Sequence, residues 1–254
     1  MIRDAGFDAT CLWWEERDEG IRRLRHRAPD LLRNAGLRID NLHVPYQGCA
    51  ELWSPIDEDR ANTVERHVAW VRDCARHDID CMVMHVAEGR STPAPGVYGV
   101  DSLRRILEVA EEMGVTLAIE NTRSPAHLDH LFENIDSPRL GLCFDTSHDW
   151  LYSPEPLALL RRWRDRLTCM HLCDTDGKRD RHWLPGEGVI DFAAIGKALD
   201  TTVIPSAMLE TIPTDRSSDP VRFLEEAYTR QDKLLHEFEC LREAATRPSA
   251  REAM

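Results

Sequence analysis

The chain has 254 residues, of which 42% are hydrophobic and 30% are charged, so it can bury a sizeable core and does not have the composition of a disordered protein. Its formal net charge of −13 argues against tight binding to bulk nucleic acid, because a field of that sign repels polyanions. No apolar run reaches the roughly 18 residues that span a bilayer, no secretory leader opens the chain, and the eight cysteines form no C-x-x-C pair. We therefore expect a cytoplasmic protein with reduced cysteines and no membrane contact.

Apolar runs alternate with segments of helical spacing along the whole chain. The predicted strands cover residues 7–14, 37–43, 80–85, 115–120, 140–144, 167–171 and 203–210. The predicted helices cover residues 15–35, 57–77, 102–113, 127–135, a segment that begins at Ser153, 192–199 and 220–242. Gly36 and Gly114 are expected to end two of these helices, since glycine readily adopts the left-handed backbone found after a helix.

This alternation predicts an α/β fold in which helices cover a parallel sheet, and the length suits a TIM (β/α)8-type barrel. The count is one strand short, and residues 1–6 resemble the last turn of a helix with its glycine cap. We therefore expect the first strand to be missing or atypical at the N-terminus: either the translation start is placed late or the barrel closes with seven strands. Residues 1–242 are expected to form one barrel domain, and residues 243–254 a disordered tail.

Charged or ionisable side chains stand where the predicted strands end. They are His43, His85, Glu120, Asp145, His148, His171, Asp180, His182 and Glu210. A single such residue is most simply a solvated strand terminus, but in a parallel barrel all these ends converge on one mouth. So many carboxylates would repel one another without cations. Mixed imidazole and carboxylate ligands suit Zn, Mn, Co, Mg or Fe, so we predict a divalent-metal site.

Six short motifs resemble those of the xylose isomerase-like TIM barrel superfamily, which includes sugar phosphate isomerases and epimerases, ketose 3-epimerases and endonuclease IV of AP endonuclease family 2. The motifs are Ile-Glu-Asn-Thr at 119–122, Phe-Asp-Thr-Ser-His at 144–148, His-Leu-Cys-Asp at 171–174, Asp-Arg-His at 180–182, Gly-Glu-Gly at 186–188 and Leu-Glu-Thr at 209–211. The resemblance extends from about residue 7 to residue 212, and the missing first strand departs from it.

The resemblance implies two alternative ligand sets, with one to three ions per chain. The epimerase pattern implies one divalent ion held by Glu120, Asp145, His171 and Glu210. The endonuclease IV pattern implies two further ions. The additional ligands would be His43 and His85, with Glu120 bridging, for the second ion, and His148, Asp180 and His182 for the third.

The function implied is that of a metal-dependent sugar or sugar phosphate isomerase or epimerase, with Glu120 and Glu210 as the acid and base that move a proton next to a carbonyl. An endonuclease IV-like phosphodiesterase and a metal-dependent dehydratase of the same barrel remain alternatives, as does a non-catalytic member. The negative charge and the presence of only three lysines count against DNA as the substrate.

Three residues are candidates for contact with the substrate. Glu187 lies in the Gly-Glu-Gly turn, Arg123 could meet a phosphate, and Trp14 could stack on an apolar sugar face. Trp13 and Trp53 are further stacking candidates, although packing in the core explains the tryptophans at least as well. Histidines on the predicted helices are expected at the surface: His26, His67, His77, His127 and His130. Exposed sheet edges left by a missing strand would favour a homodimer or a longer natural chain.

Overall fold

The computed structural model describes residues 1–89 and 91–246. The sheet contains seven strands: β1 (Ala9–Trp13), β2 (Arg38–His43), β3 (Cys81–Met84), β4 (Thr116–Glu120), β5 (Leu140–Asp145), β6 (Leu167–Leu172) and β7 (Ala207–Leu209). The α-helices are α1 (Glu19–Leu24), α2 (Ala28–Asn34), α3 (Asp57–Arg76), α4 (Val97–Met113), α5 (Pro125–Asn134), α6 (Thr146–Tyr152), α7 (Ala158–Trp163), α8 (Phe192–Leu199) and α9 (Pro220–Thr246).

The seven strands are all parallel and follow the chain in order from β1 to β7, so they form a nearly closed barrel with helices between them. The predicted fold class is therefore confirmed. Within the described residues each strand pairs only with its neighbours in sequence, and no ladder joins β7 to β1. We call the gap between these two strands the seam.

The alternation of side chains along each strand separates two apolar regions. The larger one packs strand residues such as Leu117, Ile119 and Phe144 against the helices. The smaller one lies on the opposite side of the strands and consists of compact residues. Its members are Cys81, Val83, Ala118, Cys143 and Cys169. These small side chains fill the barrel interior, and the ionisable residues at the strand ends stand above them. All eight cysteines are free.

Two helix predictions were wrong in detail. The segment predicted as one helix over residues 15–35 is divided into α1, a 3-10 turn and α2. The helix predicted to begin at Ser153 is replaced by α6, which begins directly after β5 and ends before Ser153, and by α7. Asp145 explains the early start, because its side chain accepts a hydrogen bond from the backbone nitrogen of His148 at 2.7 Å and caps α6.

Helix α9 closes the seam from outside. The side-chain nitrogen of Gln231 donates to the backbone oxygen of Ala207 at 2.6 Å, and Tyr228 packs edge-on against Phe7 at a centroid distance of 5.3 Å. A cavity of about 550 Å³ remains beneath the helix. Residues 243–246, predicted in the tail, belong to α9, whereas residues 247–254 lie outside the described residues. Within the described part of the chain, no helix is both long and apolar enough to cross a membrane.

Candidate metal centre

The structure brings all nine predicted strand-end residues into one connected cluster at the carboxyl ends of the strands. Glu120 is its centre, because the carboxylate oxygens of this residue lie close to four imidazoles. The distances are 3.0 Å to His43 Nε2, 3.1 Å to His85 Nε2, 3.0 Å to His148 Nδ1 and 3.4 Å to His171 Nδ1. The strands therefore place the predicted ligands within reach of one another.

One group within this cluster has the donor set of a metal site. Glu120, Asp145, His171 and Glu210 each offer one ligand atom, and these atoms all lie within 4.8 Å of one another. The first three side chains are buried, and Glu210 is 35% exposed. We call these four residues the central group. It matches the single-ion set that the resemblance implies, so these residues could hold a divalent ion.

Several buried nitrogen and oxygen atoms of the cluster lack hydrogen-bond partners among the described residues. Both ring nitrogens of His171 are without one, and so is Oε2 of Glu210. His171 Nδ1 and Glu210 Oε2 are nevertheless only 2.9 Å apart, but they are not oriented to form a hydrogen bond. Buried polar atoms that approach closely without pairing are costly unless a third species binds them. Their arrangement fits ligand atoms that converge on a cation.

The tautomers of two other histidines support the same interpretation. His43 Nδ1 lies 2.9 Å from the backbone oxygen of Val44, and His182 Nδ1 lies 3.0 Å from that of Glu210. Each Nδ1 must carry the hydrogen, because a carbonyl oxygen only accepts. In a neutral ring, Nε2 is then an acceptor that faces a carboxylate oxygen, at 3.0 Å for His43 and 3.2 Å for His182. Only a proton or a cation between the two atoms makes that contact favourable.

Charge interactions in the cluster displace several pKa values. Burial would raise the pKa of Glu120, but His85 and His171 outweigh it and hold that pKa well below its usual range. Burial raises the pKa of Asp145 to about 6, although His148 opposes the shift. Burial would lower the pKa of His171, but the carboxylates of Glu120 and Glu210 raise it well above its usual value. Without a cation, a proton on His171 therefore compensates the neighbouring carboxylates.

The loop after β6 carries Asp180 and His182, and Asp174 organises it. The buried carboxylate of Asp174 accepts four backbone N–H bonds, from Thr175 at 2.8 Å, Gly186 at 3.0 Å, Gly188 at 2.9 Å and Ile190 at 3.1 Å. A Cβ atom at Gly188 would lie 2.1 Å from the backbone oxygen of Thr175, so only glycine fits. The sequence prediction missed Asp174, although an aspartate directly before a glycine-rich loop was the available signal.

The structure corrects some predicted substrate contacts. Trp14 is fully buried and donates its indole hydrogen to Asp73 at 3.1 Å, so it cannot reach a substrate at the mouth. Trp53 is likewise buried and bonded to the backbone oxygen of Val86. Trp13 is instead 42% exposed and lies 5.1 Å from the ring of His43. Of the three tryptophans considered, Trp13 therefore keeps its indole ring accessible at the mouth, because neighbouring residues of a strand face opposite sides.

The other two candidates have contacts of their own. Arg123 is exposed and lies over the ring of Tyr152 at 4.4 Å, next to His148. Glu187 accepts hydrogen bonds from Leu184 N and from the hydroxyl of Thr214, so it connects the loop after β6 to the segment after β7.

Two aromatic residues near the cluster were not predicted, and two histidines were misplaced. Tyr46, in the loop directly after β2, stacks on His85 at 5.1 Å, and Tyr152 lies 5.8 Å from His148. Of the helical histidines expected at the surface, His67 and His127 are buried, with 0% and 4% exposure. The helical spacing of both residues places them on the inner faces of α3 and α5.

The family profile described as the xylose isomerase-like TIM barrel matches residues 1–244. The chain belongs to this family. Two relatives in sequence are the fructoselysine 3-epimerase of Escherichia coli O157:H7 and an inosose dehydratase of Geobacillus kaustophilus. The first is 28% identical over 110 residues, which is 39% of this chain and 40% of the relative. The second is 25% identical over 160 residues, which is 54% of this chain and 52% of the relative. This chain thus spans about half or less of the length of these relatives.

Two solved structures have the same fold. An L-ribulose 3-epimerase superposes with a TM-score of 0.79 at 18% identity, over 97% of this chain and 90% of the other. The IolI protein with a bound zinc atom superposes with a TM-score of 0.67 at 18% identity, over 92% of this chain and 89% of the other. At 18% identity these two structures show that the chain shares their fold.

Proposed function

We propose that the protein is a divalent-metal-dependent epimerase or isomerase of sugars or sugar phosphates, which transfers a proton at the carbon next to a carbonyl. The central group is the observation that supports this proposal. Glu120 and Glu210 stand three strands apart in the sheet, yet their ligand atoms approach within 4.8 Å together with those of Asp145 and His171. Two carboxylates that approach one pocket from different strands can act on opposite faces of a bound substrate.

The roles of these residues follow from their surroundings. A divalent ion, when bound, stabilises the negative charge that develops on the substrate oxygens. The buried Asp145 and His171 would hold the ion. Glu120 and Glu210 have lowered pKa values, because neighbouring imidazoles outweigh the effect of burial, so each is ionised and can accept a proton from carbon. The carboxylate that has accepted a proton from carbon becomes the acid that can return it. Return to the opposite face requires that its counterpart first takes up a proton, from the other carboxylate or from solvent.

The aromatic residues at the mouth would orient the sugar. Trp13 stands beside His43, and Tyr46 stacks on His85, so both rings border the ligand cluster. Their apolar faces suit the C–H face of a sugar, whose hydroxyl groups would then point towards the ligand cluster. Arg123 is exposed over the ring of Tyr152, which itself neighbours His148, and no carboxylate of the described residues pairs with Arg123, so it is available to a phosphate on the substrate.

A second candidate is dehydration of a keto-polyol, because inosose dehydratases are among the relatives. Both reactions begin with loss of a proton next to a carbonyl, so the same carboxylate would begin either one. Dehydration then expels a hydroxyl group, whereas epimerisation returns a proton. The products therefore distinguish the two reactions.

The experiment is deuterium incorporation from heavy water into ketohexoses, ketopentoses, their phosphates and inosose-type ketones, followed by NMR. We expect exchange with at least one substrate in the presence of Mn, Co, Mg or Zn. Glu120→Gln and Glu210→Gln should each reduce it by about 10²–10⁴-fold, the usual contribution of a general acid or base. Glu226→Gln is the control, since this residue lies on α9 outside the cluster. Equal exchange by the Glu210→Gln variant would refute the proposal, and cleavage of abasic DNA instead of exchange would favour the phosphodiesterase.

A further inference from the structure

A second set of possible metal ligands lies next to the central group and includes a thiol. Cys173, Asp180 and His182 each offer one ligand atom, and these atoms lie within 4.8 Å of one another. Cys173 is fully buried, whereas the side chains of Asp180 and His182 are 24% and 28% exposed. Cys173 Sγ also lies 3.6 Å from Asp145 Oδ2, so the two sets are adjacent.

We propose that Cys173, Asp180 and His182 form a second metal site that prefers zinc or another ion with high affinity for thiolate. This set differs from the third-ion set implied by the sequence resemblance, which has His148 in place of Cys173. His148 places Nδ1 at 3.0 Å from Glu120 and Nε2 at 3.1 Å from Asp180, so it connects the two sites. The proposal concerns ion binding and does not depend on the sugar chemistry.

The separation of the nitrogen and oxygen ligand atoms fits a tetrahedral ion. His182 Nε2 and Asp180 Oδ2 are 3.2 Å apart. Two ligand atoms that each lie about 2.0–2.1 Å from a tetrahedral zinc ion are separated by about 3.3 Å. Three protein ligands leave the fourth position open, as in catalytic zinc sites. The partial exposure of Asp180 and His182 places that position towards the mouth.

Neighbouring groups hold the ligands in place. The backbone oxygen of Glu210 accepts a hydrogen bond from His182 Nδ1 at 3.0 Å, which leaves Nε2 free to bind an ion. The hydroxyl of Ser147 donates to Asp180 Oδ1 at 2.6 Å, which leaves Oδ2 on the side of His182. Such outer hydrogen bonds are typical of metal ligands. The backbone of His182 also has a φ of 50°, a left-handed conformation that a histidine adopts at an energetic cost.

The thiol makes this site chemically different from the central group. Thiolate favours zinc and cobalt over magnesium and manganese, whereas the four ligands of the central group are carboxylates and an imidazole. Binding would release the thiol proton of Cys173 to solvent, since the thiolate is the ligand. We therefore expect the two sites to differ in metal preference, with magnesium or manganese accepted only by the central group.

Cobalt(II) titration of the full-length, metal-free protein tests the proposal. A cobalt–thiolate bond gives a near-ultraviolet charge-transfer band that cobalt bound only by nitrogen and oxygen lacks. We expect the wild-type protein to show this band and to bind two cobalt ions per chain. Cys173→Ser should abolish the band and bind one ion fewer. Asp180→Asn combined with His182→Ala should also remove the band, although it retains the thiol.

The control is Cys240→Ser, because Cys240 is the exposed thiol and lies 3.7 Å from His236 Nε2. This variant should keep the band. A band that survives Cys173→Ser, or a wild-type protein without one, would overturn the proposal. Glu210→Gln separates the two hypotheses: it should abolish solvent exchange into the sugar and preserve the band, since its backbone oxygen still holds His182. Normal sugar exchange without the band would refute the second site alone.

Discussion

Asp174 offers the sharpest test of how the chain builds its site. Each carboxylate oxygen accepts two backbone N–H bonds, Oδ1 from Thr175 and Ile190 and Oδ2 from Gly186 and Gly188. In Asp174→Asn an NH₂ group replaces one oxygen, whichever way the amide turns. The two backbone N–H groups that had bonded to that oxygen then face the NH₂ group, which cannot accept, and they lose their acceptor.

The expected loss of stability follows from these contacts. A hydrogen bond to a charged group contributes about 1.5–3 kcal/mol, so two lost bonds should reduce the free energy of unfolding by about 3–6 kcal/mol. Relaxation of the loop would move the value towards the lower end. The same loop holds Asp180 and His182, so we also expect weaker metal binding.

Urea denaturation at pH 7, followed by circular dichroism, measures the first effect, and metal titration of the folded variant measures the second. Asp215→Asn is the matched control, because Asp215 also caps a backbone N–H, at Ser217, but is exposed. It should change stability by no more than about 0.5 kcal/mol. If Asp174→Asn lost no more than the control and bound metal normally, the loop would not depend on this carboxylate and the reasoning would be wrong.

Four other predictions concern packing, pH, metal and substrate. Gly99→Ala should destabilise the protein by about 1–3 kcal/mol in urea denaturation, because its Cβ would lie 2.1 Å from the buried ring of Trp53; Gly96→Ala, whose nearest neighbour would be 3.9 Å away, should be nearly neutral. Burial lowers the pKa of His67 to about 4, so the unfolded chain binds the proton more tightly. The stability due to this neutral imidazole should be complete above pH 6.5 and fall by up to about 3 kcal/mol as the pH drops to about 4; denaturation at pH 7 and 4.5 should show a smaller decrease for His67→Gln, and an equal decrease would contradict the assignment. Chelation should lower the melting temperature measured by calorimetry, since an ion present at about 100 times its Kd stabilises the folded state by about 2.7 kcal/mol, and an unchanged melting temperature would argue against a tightly bound ion. Trp13→Ala should raise KM at least several-fold in the exchange assay with less effect on kcat; an unchanged KM would exclude stacking on the substrate.

The sequence predicted the strands well, because buried parallel strands are short apolar runs and their polar ends are easily recognised. The nine ionisable residues at those ends were placed correctly for the same reason: convergence at one mouth is a property of the barrel. The connections were harder to predict. The start of α6 depends on Asp145, which caps this helix. From the sequence, Asp145 was assigned only the role of a carboxylate at a strand end.

Burial on the helices and in the loops escaped prediction because it depends on tertiary packing. Trp13 and Trp14 are adjacent aromatic residues, and only the phase of β1 determines which one is exposed. The polar imidazole of His67 suggests a surface position, but His67 faces the interior from α3. Asp174 stands among several aspartates of one loop, and only the folded path of that loop directs four N–H groups towards it.

The seam has a consequence for how the molecule folds. The strands pair strictly in chain order, so the sheet can grow by one βα unit at a time, and each addition closes only the connection between two successive strands, which is much shorter than the whole chain. No backbone ladder between β1 and β7 has to form across the whole chain within the described residues. That long-range closure depends on side chains of α9, such as Gln231 and Tyr228. We therefore expect the sheet to assemble one unit at a time as the chain emerges from the ribosome, and α9 to dock over the seam after β1 and β7 have both formed.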